Sequence, residues 1–317
     1  MNKKTLRFIK DYKALVFLTL IIVLAAFLTS GKSLEAGNMQ NLLLQVSIQG
    51  IVGFGMTYSL LCAEFDLSVG AILTTCGIVF AKLCILWGFF PALLITLILG
   101  GVFGLFNGFL VNRLGLSSFI ATLGSSYIFK GIGQIISRGQ PTSVSNNATV
   151  VFLSNLRIGG FAIFPFIFIL IGIVCAYHLK FTRFGRNIYA AGGNYEVAKN
   201  SGIKVDFYKR MSFVIVCVSA AFAGVLTTVR LQSATAIAGD NLNLQVIGAV
   251  IIGGTSTTGG VGNIPMSFLG LLTMGVLINT LSVMGISGYW QQVVQGLTMV
   301  IVIGFSSFAN YHKTSSV

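Results

Sequence analysis

With 317 residues of which 55% are hydrophobic and only 9% charged, the chain cannot cover a water-soluble surface, because soluble domains carry about a quarter charged residues. The same composition excludes a disordered chain, a collagen-like repeat and a disulfide-rich secreted scaffold. The net charge of +13 would fit nucleic acid only as a contiguous basic face with aromatic residues between the charges. Instead, five of the 20 Lys and Arg lie in Met1–Lys13 and seven in Lys180–Arg210, the distribution of orientation determinants around apolar spans.

A helix needs about 20 apolar residues to cross the hydrocarbon. In chain order the predicted spans are Ala14–Leu28, Leu42–Leu61, Val69–Trp87, Pro91–Val111, Phe119–Ile136, Phe161–Leu179, Ser212–Val229, Leu242–Ile252, Pro265–Met284 and Tyr289–Phe308. The eighth, at about 1.5 Å per residue, covers only half a bilayer. It reads as a re-entrant segment or as half of a broken helix continued by Thr255–Gly262. The fold class is therefore an all-α polytopic membrane protein with about ten transmembrane helices in one domain, 1–317.

With the N-terminus inside, the inner segments carry fourteen Lys and Arg and the outer loops four, which predicts a cytoplasmic N-terminus. Lys82 and Lys130 fall inside spans, nearer the outer end, and are expected to snorkel. Ala14–Leu28 follows a basic stretch and precedes a poor cleavage site, so it reads as an uncleaved signal anchor, which fits a plasma (cytoplasmic) membrane.

Candidates for chemistry are few. Cys62, Cys76, Cys84, Cys175 and Cys217 sit in or beside apolar spans with no C-x-x-C pair and read as small packing residues. His178 and His312 have no clustered ligands, so no metal site is expected. The run Gly253-Gly254-Thr255-Ser256-Thr257-Thr258-Gly259-Gly260 lacks the Lys of a phosphate loop, and no G-x-G-x-x-G follows a strand. There is no G-x-S-x-G and no triad geometry. No catalytic, cofactor-binding or metal-binding residue is therefore expected, and any ATP must be held by a partner.

Acidic residues number seven, and their placement is informative. Glu64 and Asp66 lie between the second and third spans, where the edge of a span lowers the cost of a carboxylate and makes burial unnecessary. Asp66 is either the N-cap of the third helix or part of a gate or polar path. Asp240 precedes the eighth segment as Asp66 precedes the third. In a ten-span chain the two loops fall on opposite sides of the membrane, as in an inverted five-plus-five repeat. Gly253–Gly262, with Thr255 and Ser256, either lines a hydrated cavity or allows close helix packing. The 180–210 segment is the longest hydrophilic stretch. Within it Ala191–Gly202 reads as a short helix with Asn194 as cap, Glu196 in the first turn and Gly202 as terminator. Having no core of its own, such a helix is either a solvated loop or needs a docking surface.

Four stretches together resemble a known family: Asp66-Leu67-Ser68-Val69-Gly70; Asn107-Gly108 with Phe119-Ile120-Ala121-Thr122-Leu123-Gly124; Thr182–Gly202 through Phe184-Gly185-Arg186 and Ala191-Gly192-Gly193-Asn194; and Ile252-Gly253-Gly254-Thr255-Ser256 with Gly259, Gly260 and Gly262. In order and spacing the chain is similar to permease subunits of bacterial ATP-binding-cassette importers for simple sugars, of the ribose, xylose and arabinose type. The resemblance implies a pair of permease subunits, a cytoplasmic cassette ATPase that binds ATP and Mg, and an extracytoplasmic sugar-binding protein. It implies coupling to the ATPase through Gly192, Gly193, Asn194, Glu196, Ala198, Ser201 and Gly202. Glu64, Asp66, Ser68, Asn107, Gln245, Thr255 and Ser256 are the expected path or gating residues. Nucleosides or branched-chain amino acids are alternative cargo, and an ion-coupled secondary transporter is the alternative class. The chain departs from the family pattern at Glu64, at Ser118 in place of a frequent Pro, at Asn243 and Gln245 in place of acidic residues, and at Pro265.

Overall fold

The computed structural model describes residues 13–314. Most of the basic Met1–Lys13 stretch, and the side chain of His312, lie outside the described residues. The helices are α1 (Lys13–Leu28), α2 (Ala36–Leu61), α3 (Val69–Trp87), α4 (Phe89–Asn112), α5 (Ser118–Ser137), α6 (Ala148–Asn155) and α7 (Ile163–Phe181), followed by α8 (Arg183–Gly193), α9 (Tyr195–Asn200), α10 (Val205–Leu231), α11 (Leu242–Ile252), α12 (Ile264–Val283) and α13 (Gly288–Thr314). The fold is predominantly helical. Two small antiparallel ladders qualify the all-α expectation: β1 (Thr142–Ser143) pairs with β4 (Ser233–Ala234), and β2 (Arg157–Ile158) with β3 (Phe161–Ala162).

Among the described residues six helices, α2, α3, α4, α7, α10 and α12, are long and apolar enough to cross a membrane, and α11 is a shorter apolar helix. Leu242–Ile252 is thus a short helix with the expected ends. Several others run past their apolar stretches: α2 begins at Ala36 rather than Leu42 and α10 at Val205 rather than Ser212. Polar turns such as Asp206–Arg210 continue the helical ladder beyond the hydrophobic segment that marks the span. Helix boundaries follow local chemistry. Gly88, at φ +82, ends α3 and admits the turn into α4, its N–H donating to the Cys84 carbonyl. Pro91, Pro165 and Pro265 all stand in the first turns of α4, α7 and α12, where a missing N–H costs nothing.

α10 is the central helix, packed by α2, α3 and α4. Gly100, Gly104 and Gly108 form one stripe along α4. A Cβ at Gly104 would stand 2.5 Å from the Val214 Cα, and one at Gly100 would stand 3.0 Å from the Cys217 carbonyl. Small residues at four-residue spacing bring two backbones together where side-chain packing and not water exclusion must hold helices. The opposite face of α4 exposes Leu94, Ile98, Val102, Leu105 and Phe109, and α7 exposes Ile169, Leu170, Ile173 and Val174. Such a belt suits lipid.

The two acid-bearing loops that the spans assign to opposite sides of the membrane meet in space. Gly70, the second residue of α3, lies against Gly239 so closely that a Cβ on either would collide with the other's carbonyl. The Gly239 N–H donates to Thr74 Oγ1 at 2.9 Å, and Asn243 Nδ2 to the Leu67 carbonyl at 3.2 Å.

Candidate functional site

Residues 62–68 leave helical geometry between α2 and α3, which would strand backbone groups in an apolar surrounding. Side chains from other elements satisfy them. Ser118 Oγ accepts the Phe65 N–H at 3.2 Å, Thr122 Oγ1 accepts the Leu67 N–H at 3.0 Å, and Asn243 reaches the Leu67 carbonyl. Two of the departures from the family pattern, Ser118 and Asn243, therefore have defined partners, and a proline at 118 would have no hydroxyl to offer.

Asp66 is fully buried, although its place at the edge of a span did not require it. It also does not cap α3 in the expected manner. The helix begins at Val69 with Ser68 as N-cap and no side-chain capping bond, because Asp66 lies too far back to reach the second or third helical N–H. Its Oδ1 accepts from the Ser68 N–H at 2.8 Å and Ser68 Oγ at 2.5 Å; its Oδ2 accepts from Asn107 Nδ2 at 3.2 Å and Cys217 Sγ at 3.3 Å. Asn107 Nδ2 also donates to Ser68 Oγ at 2.9 Å. All four contacts to Asp66 are donors, and a carboxylate is the side chain that only accepts. The loop, α4 and α10 are thereby joined through one residue near the middle of α10.

Glu64, also buried, pairs with Lys209 of α10 at 2.7 Å. The Lys209 ammonium lies 5.8 Å from the Tyr195 ring of α9, and Lys199 5.6 Å from the same ring. Sequence reasoning counted Lys209 among the orientation charges and missed this pairing; charge alone carries no sign of a partner 145 residues away. Cys217 was likewise read only as a packing residue.

The residues expected to couple divide into two short helices. Asn194 caps α9, its side chain accepting the Val197 N–H at 3.0 Å; Glu196 stands in the first turn, and Gly202 at φ +81 follows the C-cap, Ser201. The segment has a small core of its own, Ala191, Ala198 and Val205 with Ala190, Ile203 and Tyr208 packed on it, which corrects the expectation that it has none. The alanines are small enough for α8 and α9 to close on the start of α10.

That unit sits on the end of α2. A Cβ at Gly192 would collide with the Leu61 carbonyl, and one at Gly259 would lie 2.5 Å from the Gly192 carbonyl. The Gly260 N–H donates to the Leu61 carbonyl at 2.9 Å. Tyr189 Oη donates to the Gly262 carbonyl at 2.8 Å, and burial raises this phenol above its ordinary pKa, which keeps it a donor. Gly192, Gly193, Gly259 and Gly260 thus form a backbone-on-backbone junction between α8, α2 and the 253–263 loop.

Thr255 is buried, its Oγ1 3.3 Å from Ser267 Oγ, while Ser256 pairs with Thr258 within the loop. Of the two readings of the Gly-rich run, close packing is the one these contacts fit. Gln245 stands apart from the Asp66 group, in a row with Gln49 at 3.4 Å and Gln295 at 2.9 Å. The expected path residues are therefore not one cluster. Asp66, Ser68 and Asn107 are together, Glu64 is linked to α9 through Lys209, and Gln245, Thr255 and Ser256 lie elsewhere.

Residues 38–303 match the family model described as branched-chain amino acid transport system, permease component. The chain belongs to that family. It is 37% identical over 288 residues to the ribose import permease protein RbsC of Bacillus subtilis (strain 168), covering 89% of this chain and 88% of the relative. It is 37% identical over 295 residues to the D-allose transport system permease protein AlsC of Escherichia coli (strain K12), covering 92% and 90%. With the xylose transport system permease protein XylH of Haemophilus influenzae (strain ATCC 51907 / DSM 11121 / KW20 / Rd) it shares 30% over 355 residues, covering 92% and 94%. No solved structure matches the chain. The resemblance read from the four sequence stretches is thereby borne out, and the chain is a multi-pass membrane permease component of the family.

Proposed function

We propose that the chain is the permease subunit of an ATP-driven importer for a simple sugar of the pentose or hexose class. The observation that carries this reading is similarity over about nine-tenths of the chain to permeases named for ribose and allose. Two copies would assemble with a cytoplasmic cassette ATPase that holds ATP and Mg, and with an extracytoplasmic protein that delivers the sugar. In this reading 1–317 is one transmembrane permease domain of about ten spans with its N-terminus in the cytoplasm, and 180–210 is its cytoplasmic coupling segment. The close approach of Gly70 and Gly239 supports an inverted five-plus-five repeat, whose paired broken segments belong near the membrane's middle.

The ATPase docks on α8 and α9. Tyr195 and Val197 are large side chains left 37% and 61% exposed there, beside a hollow of about 410 Å³ lined by Asn187, Gly202 and Phe207. Closure of the ATPase on ATP pushes this unit, and the Gly192–Leu61 junction passes the push to α2 without slack. The Glu64–Lys209 pair passes it to the loop that carries Asp66. Glu64, Asp66, Ser68, Asn107, Gln245, Thr255 and Ser256 then act as gating and support positions of the path.

Co-purification of the tagged chain from its host in mild detergent tests the reading, followed by uptake of labelled D-ribose, D-xylose, D-allose and leucine in reconstituted vesicles. A stoichiometric cassette ATPase with ATP-dependent sugar uptake is the expected result. Leucine uptake instead of sugar would move the cargo to amino acids, and uptake by the chain alone on an ion gradient would make it a secondary transporter.

A further inference from the structure

Above the Gly70–Gly239 contact a hollow lies between α3, α5 and the segment 239–243. Its volume is about 370 Å³, within the range of small-molecule sites, about 300–1,000 Å³. Lys130 and Asp240 stand at its edge, joined at 2.6 Å with side chains 36% and 43% exposed. Lys130 was expected to snorkel toward a membrane surface; it is held by a carboxylate instead. An ion pair this exposed on a helix long enough to span would be costly against lipid, so this face of α5 meets water or another polar surface. Neither charge is left over for a ligand ion.

The remaining lining fits one chemistry. Tyr127 presents an aromatic ring 75% exposed. Ser126, Thr74 and Asn243 add a hydroxyl, a hydroxyl and an amide to the wall. Thr74 Oγ1 and Asn243 Nδ2 are each used once, on the 239 and 67 backbones, which fixes their orientation and leaves further hydrogen-bonding capacity. An aromatic plate for an apolar ring face, with neutral donors and acceptors around it, suits a polyhydroxylated ring better than an apolar or charged solute. None of the path positions expected from sequence lines this hollow.

We propose that the cavity between Tyr127, Lys130 and Asp240 is a transit subsite for an uncharged sugar. The Lys130–Asp240 pair excludes ions by neutralising itself and lends both partners' free valences to sugar hydroxyls. The subsite rests on the importer reading above, whose cargo class it makes specific at one place in the chain.

The test uses a reporter thiol, Ser126→Cys, in a Cys175→Ser background of the full chain, in membranes containing the assembled transporter. A charged, water-soluble methanethiosulfonate is the probe, and Ser145→Cys on the exposed 145 position sets the rate of an open site. The 126 thiol should react within about tenfold of the 145 thiol. D-ribose, D-xylose or D-allose at millimolar concentration should slow it at least threefold, with D-ribose 5-phosphate and leucine having no effect. Adding Asp240→Asn frees the Lys130 charge, so D-ribose 5-phosphate should then slow labelling relative to the same variant without ligand. ATP-dependent sugar uptake is measured on the same membranes. No labelling at 126, with 145 reactive, overturns the subsite by placing the face against lipid or a second copy. Labelling without sugar protection while uptake proceeds overturns the subsite and leaves the importer reading standing. Protection by leucine, with leucine uptake, overturns both.

Discussion

The α8–α2 junction and the Lys130–Asp240 cavity are built on opposite plans. At the junction Gly192, Gly259 and Gly260 press against the Leu61 end of α2 with no side chain between. At the cavity the side chains of Thr74, Ser126, Tyr127, Lys130, Asp240 and Asn243 stand around the Gly70–Gly239 contact, with about 370 Å³ open between them. Backbone contact leaves nothing to yield, so displacement on one side appears on the other; packed cores switch between arrangements rather than deform smoothly. A side-chain wall can adjust rotamers at a cost of about 1 kcal/mol. The first plan suits transmission of force, the second suits brief contact with a passing solute.

The sharpest way to break the comparison is Gly192→Val. Its Cβ has no place beside the Leu61 carbonyl, so ATP-dependent uptake should fall at least a hundredfold, with thermal stability lowered by overpacking of about 1–3 kcal/mol. A variant with normal uptake would show that the junction gives way. Next comes Asp66→Asn. Its amide would face donors from Asn107 or Ser68, leaving a buried donor unpaired at about 1–3 kcal/mol. Uptake should drop at least tenfold although Asn caps helices well; unchanged uptake and melting temperature would reduce Asp66 to a spacer.

A smaller effect is expected for Glu64→Gln, which keeps an acceptor for Lys209 but removes the opposite charge. Uptake should fall about threefold to tenfold, and the exchanged pair Glu64→Lys with Lys209→Glu should recover part of it. No recovery would mean that the site reads charge position and not pairing. Tyr189→Phe deletes one hydrogen bond to the Gly262 carbonyl, for a loss of about 1 kcal/mol, to be read from the unfolding midpoint in detergent. At the cavity, Leu123→Ala should be nearly silent in stability, within about 0.5 kcal/mol, as expected of an exposed position. A large loss there would mean that the cavity wall is packed against something in the assembly.

Much of the fold is legible in the sequence. The apolar runs located the long helices, Leu242–Ile252 was recognisable as too short to cross, and Asn194 and Gly202 marked the ends of α9 by their chemistry. Helix ends that run past their apolar stretches, as in α2 and α10, were not legible, because hydropathy reports the lipid-facing part of a helix and not its hydrogen-bond ladder. The site was legible only as residue types. Glu64, Asp66 and Lys130 stood out because charges are scarce in this chain. Nothing local marks Lys209, Cys217 and Asp240 as their partners, since each pairing closes over more than a hundred residues.

Composition and order of residues determined that this chain lives in a membrane, that it is helical, and which family it belongs to, because those properties depend on local hydropathy and on short motifs in sequence. Tertiary structure alone decided that Asp66 is buried among four donors, that Gly70 meets Gly239, and that Lys130 is paired rather than extended toward a surface. The reason is physical: an apolar run stabilises a helix wherever it lies. A buried charge is tolerated only where distant elements bring it donors or an opposite charge, and only the folded packing places those elements side by side.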